Sequence, residues 1–219
     1  MKLSALLAFV ATVSAAAIPA EVLTERQACP LATASQLSAA KTAFQQAKLV
    51  PASTGLIDNF NPTLAVSAAY GTKQVQLGNT FAATETLSEP SVSFTAEPGF
   101  DPAKTKYTIF LLDPDPPDPA APILKDFLHL EIANAQPSCI TSQSRQTVAS
   151  YMALTPLSVA AHRYTFLVYR QPPNYAPPPK LENLPAARSG FNLNAYTKTS
   201  GLIGPVGGNF FREGLGTTV

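Results

Sequence analysis

The stretch Tyr107 to Asp118, YTIFLLDPDPPD, limits what this chain can fold into more than any other. Tyr107 to Leu112 form a strand-like run whose one polar break is Thr108. Asp113, Pro114, Asp115, Pro116, Pro117, Asp118 and Pro119 follow without interruption. Proline fixes φ and removes the amide donor that a ladder needs, so no central strand continues through such a segment. The run is continuously apolar rather than alternating, which predicts a strand buried on both faces that ends in a rigid acidic turn.

The rest of the chain reads as period-two segments around this one. Leu64, Val66, Ala68 and Tyr70 alternate with small or polar partners up to Gly71. Val75 and Leu77 alternate up to Gly78-Asn79, and Val92 and Phe94 alternate with Ser91, Ser93 and Thr95. Phe127 to Ala133, Val148 to Leu154, Tyr164 to Tyr169 and Val206 to Phe211 predict four more strands. Two helices are expected. Thr33 and Gln36 make a capping-box pattern at the head of Thr33 to Leu49, whose apolar face is Leu37, Ala40, Phe44 and Ala47 and which Pro51 stops. Asn192 caps a shorter helix through Leu193 and Tyr196 that Gly201 ends. The proline-rich run Gln171 to Pro185 reads as a stiff surface connection. Twenty-one prolines in 219 residues argue against a helical bundle, and 46% hydrophobic with 13% charged residues argues for a core-forming chain. Residues 31–219 read as a single, mainly β domain.

Residues 1–17, MKLSALLAFVATVSAAA, have the charged start, short apolar core and small-residue end of a secretory signal peptide. The apolar run falls short of the roughly 20 residues that a membrane span needs. Residues 18–30 form either a pro-segment or a flexible N-terminal arm. A secreted, extracellular destination is oxidising, so Cys29 and Cys139 are expected to pair, with two free thiols as the alternative. Closing so long a loop stabilises by about 4–5 kcal/mol in the chain-entropy account. The net charge of +1, with no basic run, leaves no electrostatic footprint for nucleic acid.

Few enzyme chemistries fit. Gly-x-Ser-x-Gly, His-Glu-x-x-His, the P-loop and the dinucleotide fingerprint are all missing. No metal and no cofactor is expected, although His129 and His162 with Asp113 or Asp115 contain ligand-type side chains. Taken singly, His129 reads as a hydrogen-bonded core residue and His162 as a strand-start residue. Rigid Asp-Pro pairs together with both histidines at strand ends favour a binding pocket.

These residues carry a resemblance. Asn61-Pro62-Thr63-Leu64 through Tyr70, Leu77-Gly78-Asn79, Thr108 to Pro116, Phe127-Leu128-His129, His162-Arg163-Tyr164 and Gly204 to Phe211 occur in an order that resembles the phosphatidylethanolamine-binding protein (PEBP) family, most of all its secreted or carboxypeptidase-inhibitor-like fungal members. The resemblance implies a PEBP-like fold: a large central antiparallel sheet, a smaller second sheet and a few peripheral helices. It implies a non-enzymatic protein that binds a phosphate or phospholipid headgroup in a small anion pocket. Carried over position by position, that pocket's lining is Asp113, Asp115, His129, Pro156, His162 and Tyr164. The alternative it implies is an inhibitor or regulator of a secreted serine carboxypeptidase or other protease, acting through its surface, with residues 24–31 and 171–185 as candidate contacts. Two departures bear on the pocket. Ala153, Leu154, Leu157, Val159, Ala160 and Ala161 stand where such proteins carry glycines, so side chains are expected to narrow or fill it; Asp118 replaces a serine and adds repulsion.

Overall fold

The structure, a computed structural model, describes residues 29–53, 55–156 and 158–215. The expected leader 1–17 and most of the expected arm, 18–28, lie outside the described residues.

Among the described residues nine strands and two α-helices follow the order of the sequence reading, which did not include the short strand at Thr80–Phe81. Helix α1 spans Ala34–Gln46, and strands β1 Val66–Tyr70, β2 Lys73–Gln74, β3 Thr80–Phe81 and β4 Ser91–Phe94 come next. Strands β5 Tyr107–Asp113, β6 Phe127–Ala135, β7 Gln146–Ala149 and β8 His162–Arg170 follow, then helix α2 Leu193–Thr199 and strand β9 Ile203–Glu213. They build a large sheet of order β3-β9-β8-β5-β6-β7 and a small antiparallel sheet of order β2-β1-β4. The large sheet is antiparallel except at its edge, where β3 pairs parallel to β9.

The continuous apolar run of β5 is explained by two cores, one on each face of the large sheet. Tyr107, Ile109 and Leu111 point to the side of the small sheet, among Val66, Ala68, Val92 and Phe94. Phe110 and Leu112 point the other way, to Phe44 and Ala47 at α1 and Leu193 at α2. Every residue of β5 is buried. Burial of this kind contributes about 25 cal/mol per Å² of apolar surface, so β5 supports both layers at once.

Each boundary that departs from the sequence reading has a local cause. Helix α1 has the expected box: Gln36 N donates to Thr33 Oγ1 at 3.2 Å and Thr33 N to Gln36 Oε1 at 2.9 Å. It ends at Gln46, before Pro51 is reached, because Lys48 turns left-handed at φ 55°. Strand β7 was expected over Val148 to Leu154 and ends at Ala149, where residue 152 pairs with His129 instead of extending the ladder. Strand β2 ends at Gln74; Val75 N still donates to Ala68 O at 2.9 Å, and from Val75 O onward Asn209 takes over. Its buried amide donates to Val66 O and Val75 O, each at 3.0 Å, and accepts from Leu77 N at 3.0 Å.

Cys29 and Cys139 are joined, with Cα atoms 5.3 Å apart, and this fastens the N-terminal residues to the β6–β7 connection. Among the described residues no helix is long and apolar enough to cross a membrane.

Gly207 and Gly208 let both layers approach β9. A Cβ on Gly207 would press on Leu64 and Val66, and one on Gly208 would lie 2.7 Å from Phe44 Cζ and 2.9 Å from Phe166 O. Over-packing of this kind costs about 1–3 kcal/mol. Gly208→Ala is therefore expected to lower the urea midpoint by that equivalent at unchanged slope. A midpoint equal to that of the wild type would mean that α1 gives way freely.

Candidate functional site

The large sheet brings the ends of three neighbouring strands to one edge. Strand β5 ends at Asp113, and its antiparallel neighbours β6 and β8 begin there, so His129, His162 and Tyr164 arrive beside it. Strand alternation puts His162 and Tyr164 on one face and Arg163 on the other. The result is a cavity of about 240 Å³ lined by Asp113, His129, His162 and Tyr164, with Pro116, Pro117, Leu124 and Phe127 and with Met152, Ala153, Thr155 and Pro185.

The two histidines are held in different states. His162 Nδ1 donates to Asp113 Oδ2 at 2.7 Å. Its Nε2 faces Pro117 O at 3.3 Å and Ser158 Oγ at 3.2 Å, and the Ser158 hydroxyl is itself donated to Ala160 O. Both ring nitrogens thus face acceptors, an arrangement that suits the imidazolium. Burial works against that charge, but the hydrogen bond and the charge of Asp113 outweigh it, and the ring holds its proton above the ordinary histidine value. Burial also pushes the Asp113 carboxyl up, against the pull of His162.

His129 has an acceptor at one nitrogen alone: Nδ1 donates to Met152 O at 2.9 Å. Burial drives its value down to about 4, and the Met152 carbonyl offsets this in part. At neutral pH the ring carries no charge. With the proton on Nδ1, its Nε2 is an acceptor. Phe127 and Tyr164 hold the ring, with centroids at 4.7 and 5.4 Å. The Tyr164 hydroxyl is raised well beyond its ordinary range by burial and by the charges of Asp113 and Glu213, so it serves as a donor toward Asp113.

Asp115 and Pro156 are not among the cavity's lining residues, although the sequence reading groups them with it. Asp115 is wholly buried on the other side of the turn, where it accepts from Arg163 N, Nε and Nη2 at 2.7, 2.9 and 2.5 Å. Arg163 Nη1 reaches on to Ala47 O and Lys48 O at the end of α1, each at 2.9 Å. Pro156 is buried in the connection behind the wall. Asp118 is not a lining residue either; it closes its own turn by accepting from Ala120 N at 2.8 Å.

In the connection that carries no glycines, Leu154 packs into the inter-sheet core, Val159 and Ala160 point to solvent, and Ala153 is the one described residue of the expected set that lines the cavity. Leu157 lies outside the described residues. Sequence reasoning missed Ser158 and Glu213. Glu213 is paired in register with His162 and wholly buried; Thr86 Oγ1 donates to its Oε2 at 2.7 Å, while Oε1 has no partner among the described residues. Burial pushes it up to about 7. No sequence signal marks either residue, since both act through a neighbour in space. Among the described residues no group of three or more His, Cys, Asp or Glu side chains is arranged to hold a metal ion.

Comparison with known proteins bears on this geometry. The sequence pattern of the family described as phosphatidylethanolamine-binding protein matches residues 41–211. CEN-like protein 1 of Nicotiana tabacum is 32% identical over 157 residues, which cover 71% of this chain and 84% of that protein. The 26 kDa secreted antigen of Toxocara canis is 32% identical over 157 residues, 69% of this chain and 57% of the antigen. A solved carboxypeptidase Y inhibitor, in complex with its cognate proteinase, superposes with a TM-score of 0.66 at 20% identity, covering 81% of this chain and 96% of its own; it shares the fold.

The states of the histidines are checked by following both rings by NMR. His162 is expected to titrate above 6.5 and His129 near about 4. A histidine depressed on folding contributes stability that is present above its unfolded value and lost as pH falls through the folded one. Between about pH 6.5 and 4 the protein is therefore expected to lose on the order of 3 kcal/mol through His129, and His129→Gln to flatten that slope. Two rings titrating together near 6.5 would contradict the assignment.

Proposed function

The chain belongs to the phosphatidylethanolamine-binding protein family, and on that premise we propose that it is a secreted, non-enzymatic binding protein that takes a phosphate-type headgroup into the cavity at the end of β5. The observation that carries this reading is the His162–Asp113 pair beside neutral His129. A protonated His162 supplies positive charge at the cavity wall; its Nε2–H reaches a ligand by leaving Pro117 O and Ser158 Oγ, which it meets at 3.3 and 3.2 Å, and such a charge-assisted hydrogen bond contributes roughly 1.5–3 kcal/mol. Asp113 holds that ring in place and limits how much negative charge the cavity accepts.

The acceptor at His129 Nε2 selects the ligand's protonation state. A singly charged phosphoryl group has a hydroxyl that donates to this nitrogen, whereas a doubly charged one meets it with a lone pair. Putting unmatched charge into a site this buried is unfavourable. The cavity thus suits a phosphate monoester monoanion or dihydrogen phosphate. Inorganic phosphate and phosphoethanolamine are expected to shift the ring signals of His129 and His162 at millimolar concentration. Affinity for phosphoethanolamine is expected to fall as pH rises through the second pKa of a phosphate monoester, about 6. His162→Gln is expected to weaken binding about tenfold or more, through the loss of the positive charge at the cavity wall. Unchanged signals at millimolar ligand would sink the reading.

Secretion is supported by the Cys29–Cys139 disulfide and the leader-like residues 1–17. A second reading, regulation of a secreted peptidase by surface contact, is favoured by the proline-rich connection that follows β8. This segment forms no strand, runs largely over the surface and includes Leu184, which is 56% exposed. The matching inhibitor was solved with a proteinase. Protein collected from culture medium, beginning near Ile18, is expected to slow a member of a panel of serine carboxypeptidases. Retention of residues 1–17, or full peptidase activity at micromolar protein, counts against this second reading.

A further inference from the structure

The opposite edge of the large sheet carries a second hollow that the headgroup site does not use. Strand β5 begins there, β6 and β8 end there and β9 starts there, so it lies a full strand length from His162. Its volume is about 640 Å³, against about 240 Å³ for the headgroup cavity. It adjoins a hollow of about 330 Å³ that shares Pro172, Pro173 and Tyr175 and continues along the proline-rich connection to Pro178. The two together make a trough rather than a hole.

Its chemistry is one-sided. Lys104, Lys106 and Arg170 are the charged residues that line it, and no carboxylate does. The charge of Arg170 is met from beneath by buried Glu97, at 2.6 Å, and its guanidinium lies 3.9 Å over the Phe100 ring. Lys104 has one loose surface partner, Asp101 at 3.7 Å. The half-buried Lys106 has no ion pair among the described residues.

The trough also offers groups that suit a peptide chain. Asn134 sits in β6 with φ 57°, at an irregularity of the β5–β6 ladder. Asparagine tolerates that left-handed backbone better than most residues. Its side-chain amide lines the trough with no hydrogen bond among the described residues, leaving a donor and an acceptor for a backbone. Phe100 and Ile203, 40% and 47% exposed, together with the prolines and Tyr175, supply apolar walls for alternate side chains.

From this combination we propose that the trough is a docking groove for an extended acidic segment of a partner protein, in which carboxylates meet Lys104 and Lys106 and apolar side chains meet Phe100, Ile203 and the Pro172–Pro173 wall. Length and the amide at Asn134 favour a peptide over a compact anion, and the charge of the walls selects an acidic one. The proposal does not depend on headgroup binding, and it requires no peptidase inhibition.

The test uses the full chain and a short fluorescent peptide that alternates glutamate with leucine and proline. The peptide is expected to bind, to weaken with added salt, and to shift backbone NMR signals over residues 100–106 and 170–175. The double variant Lys104→Glu, Lys106→Glu is expected to bind it at least about tenfold more weakly, while His162→Gln binds it as the wild type does. Four results would each overturn the proposal: no binding at millimolar peptide, equal binding of a peptide with lysine in place of glutamate, unchanged binding by the double variant, or shifts that map to His129 and His162. Saturation by inorganic tripolyphosphate without peptide binding would reassign the groove to small anions.

Discussion

A strand closed to water on both faces must end where its last polar groups can be satisfied, and β5 ends at Asp113. That carboxylate accepts from Asp115 N at 2.9 Å and from His162 at 2.7 Å, so the turn and the neighbouring strand are joined through one side chain. Two residues on, Asp115 takes Arg163, and Arg163 takes the last carbonyls of α1. The acidic turn is thus the knot that holds sheet, turn and helix in register, and the cavity is the space left on one side of it. Removing one partner from a buried charged pair costs about 3–5 kcal/mol, so the wall of the cavity and the docking of α1 stand or fall together.

The two histidines lie on the strands that flank β5 and yet differ in charge for reasons of geometry. Acceptors at both nitrogens of His162, one of them a carboxylate, favour the charged ring; a single carbonyl at His129, in a more apolar setting, favours the neutral one. The cavity therefore contains one matched charge pair and one neutral acceptor. On the proposed reading, such a site would discriminate among anions by their protons as well as by their charge, which a cluster of lysines would not do.

Much of this was legible in the sequence. Period-two alternation marks the strands, the unbroken run Tyr107 to Leu112 marks the doubly buried one, and Thr33 with Gln36 marks the start of α1. What escaped were places where a side chain replaces a backbone partner. His129 ends β7 early by engaging residue 152, Asn209 takes over beyond β2, and the alternation of β8 sends Arg163 to Asp115 and so turns that aspartate away from the cavity. The motif order grouped Asp113, His129, His162 and Tyr164, which sit at strand ends that the sheet brings together. Ser158 and Glu213 belong to the same cluster through contacts no local pattern encodes. The trough at the far edge draws single residues from several separate stretches, and a motif reading has nothing there to find.

The proline-bound turn after β5 has one further consequence. Four prolines and two fully engaged aspartates leave that wall few conformations to lose, so a ligand meets a surface that is already in its bound shape. Ordering a mobile loop at a binding site takes roughly 0.5–1.5 kcal/mol for each side chain immobilised. Here most of that entropy was surrendered when the chain folded. Association at the proposed site would then be governed by how a ligand passes the mouth of the cavity and by its protonation on arrival, with no wall to be built around it.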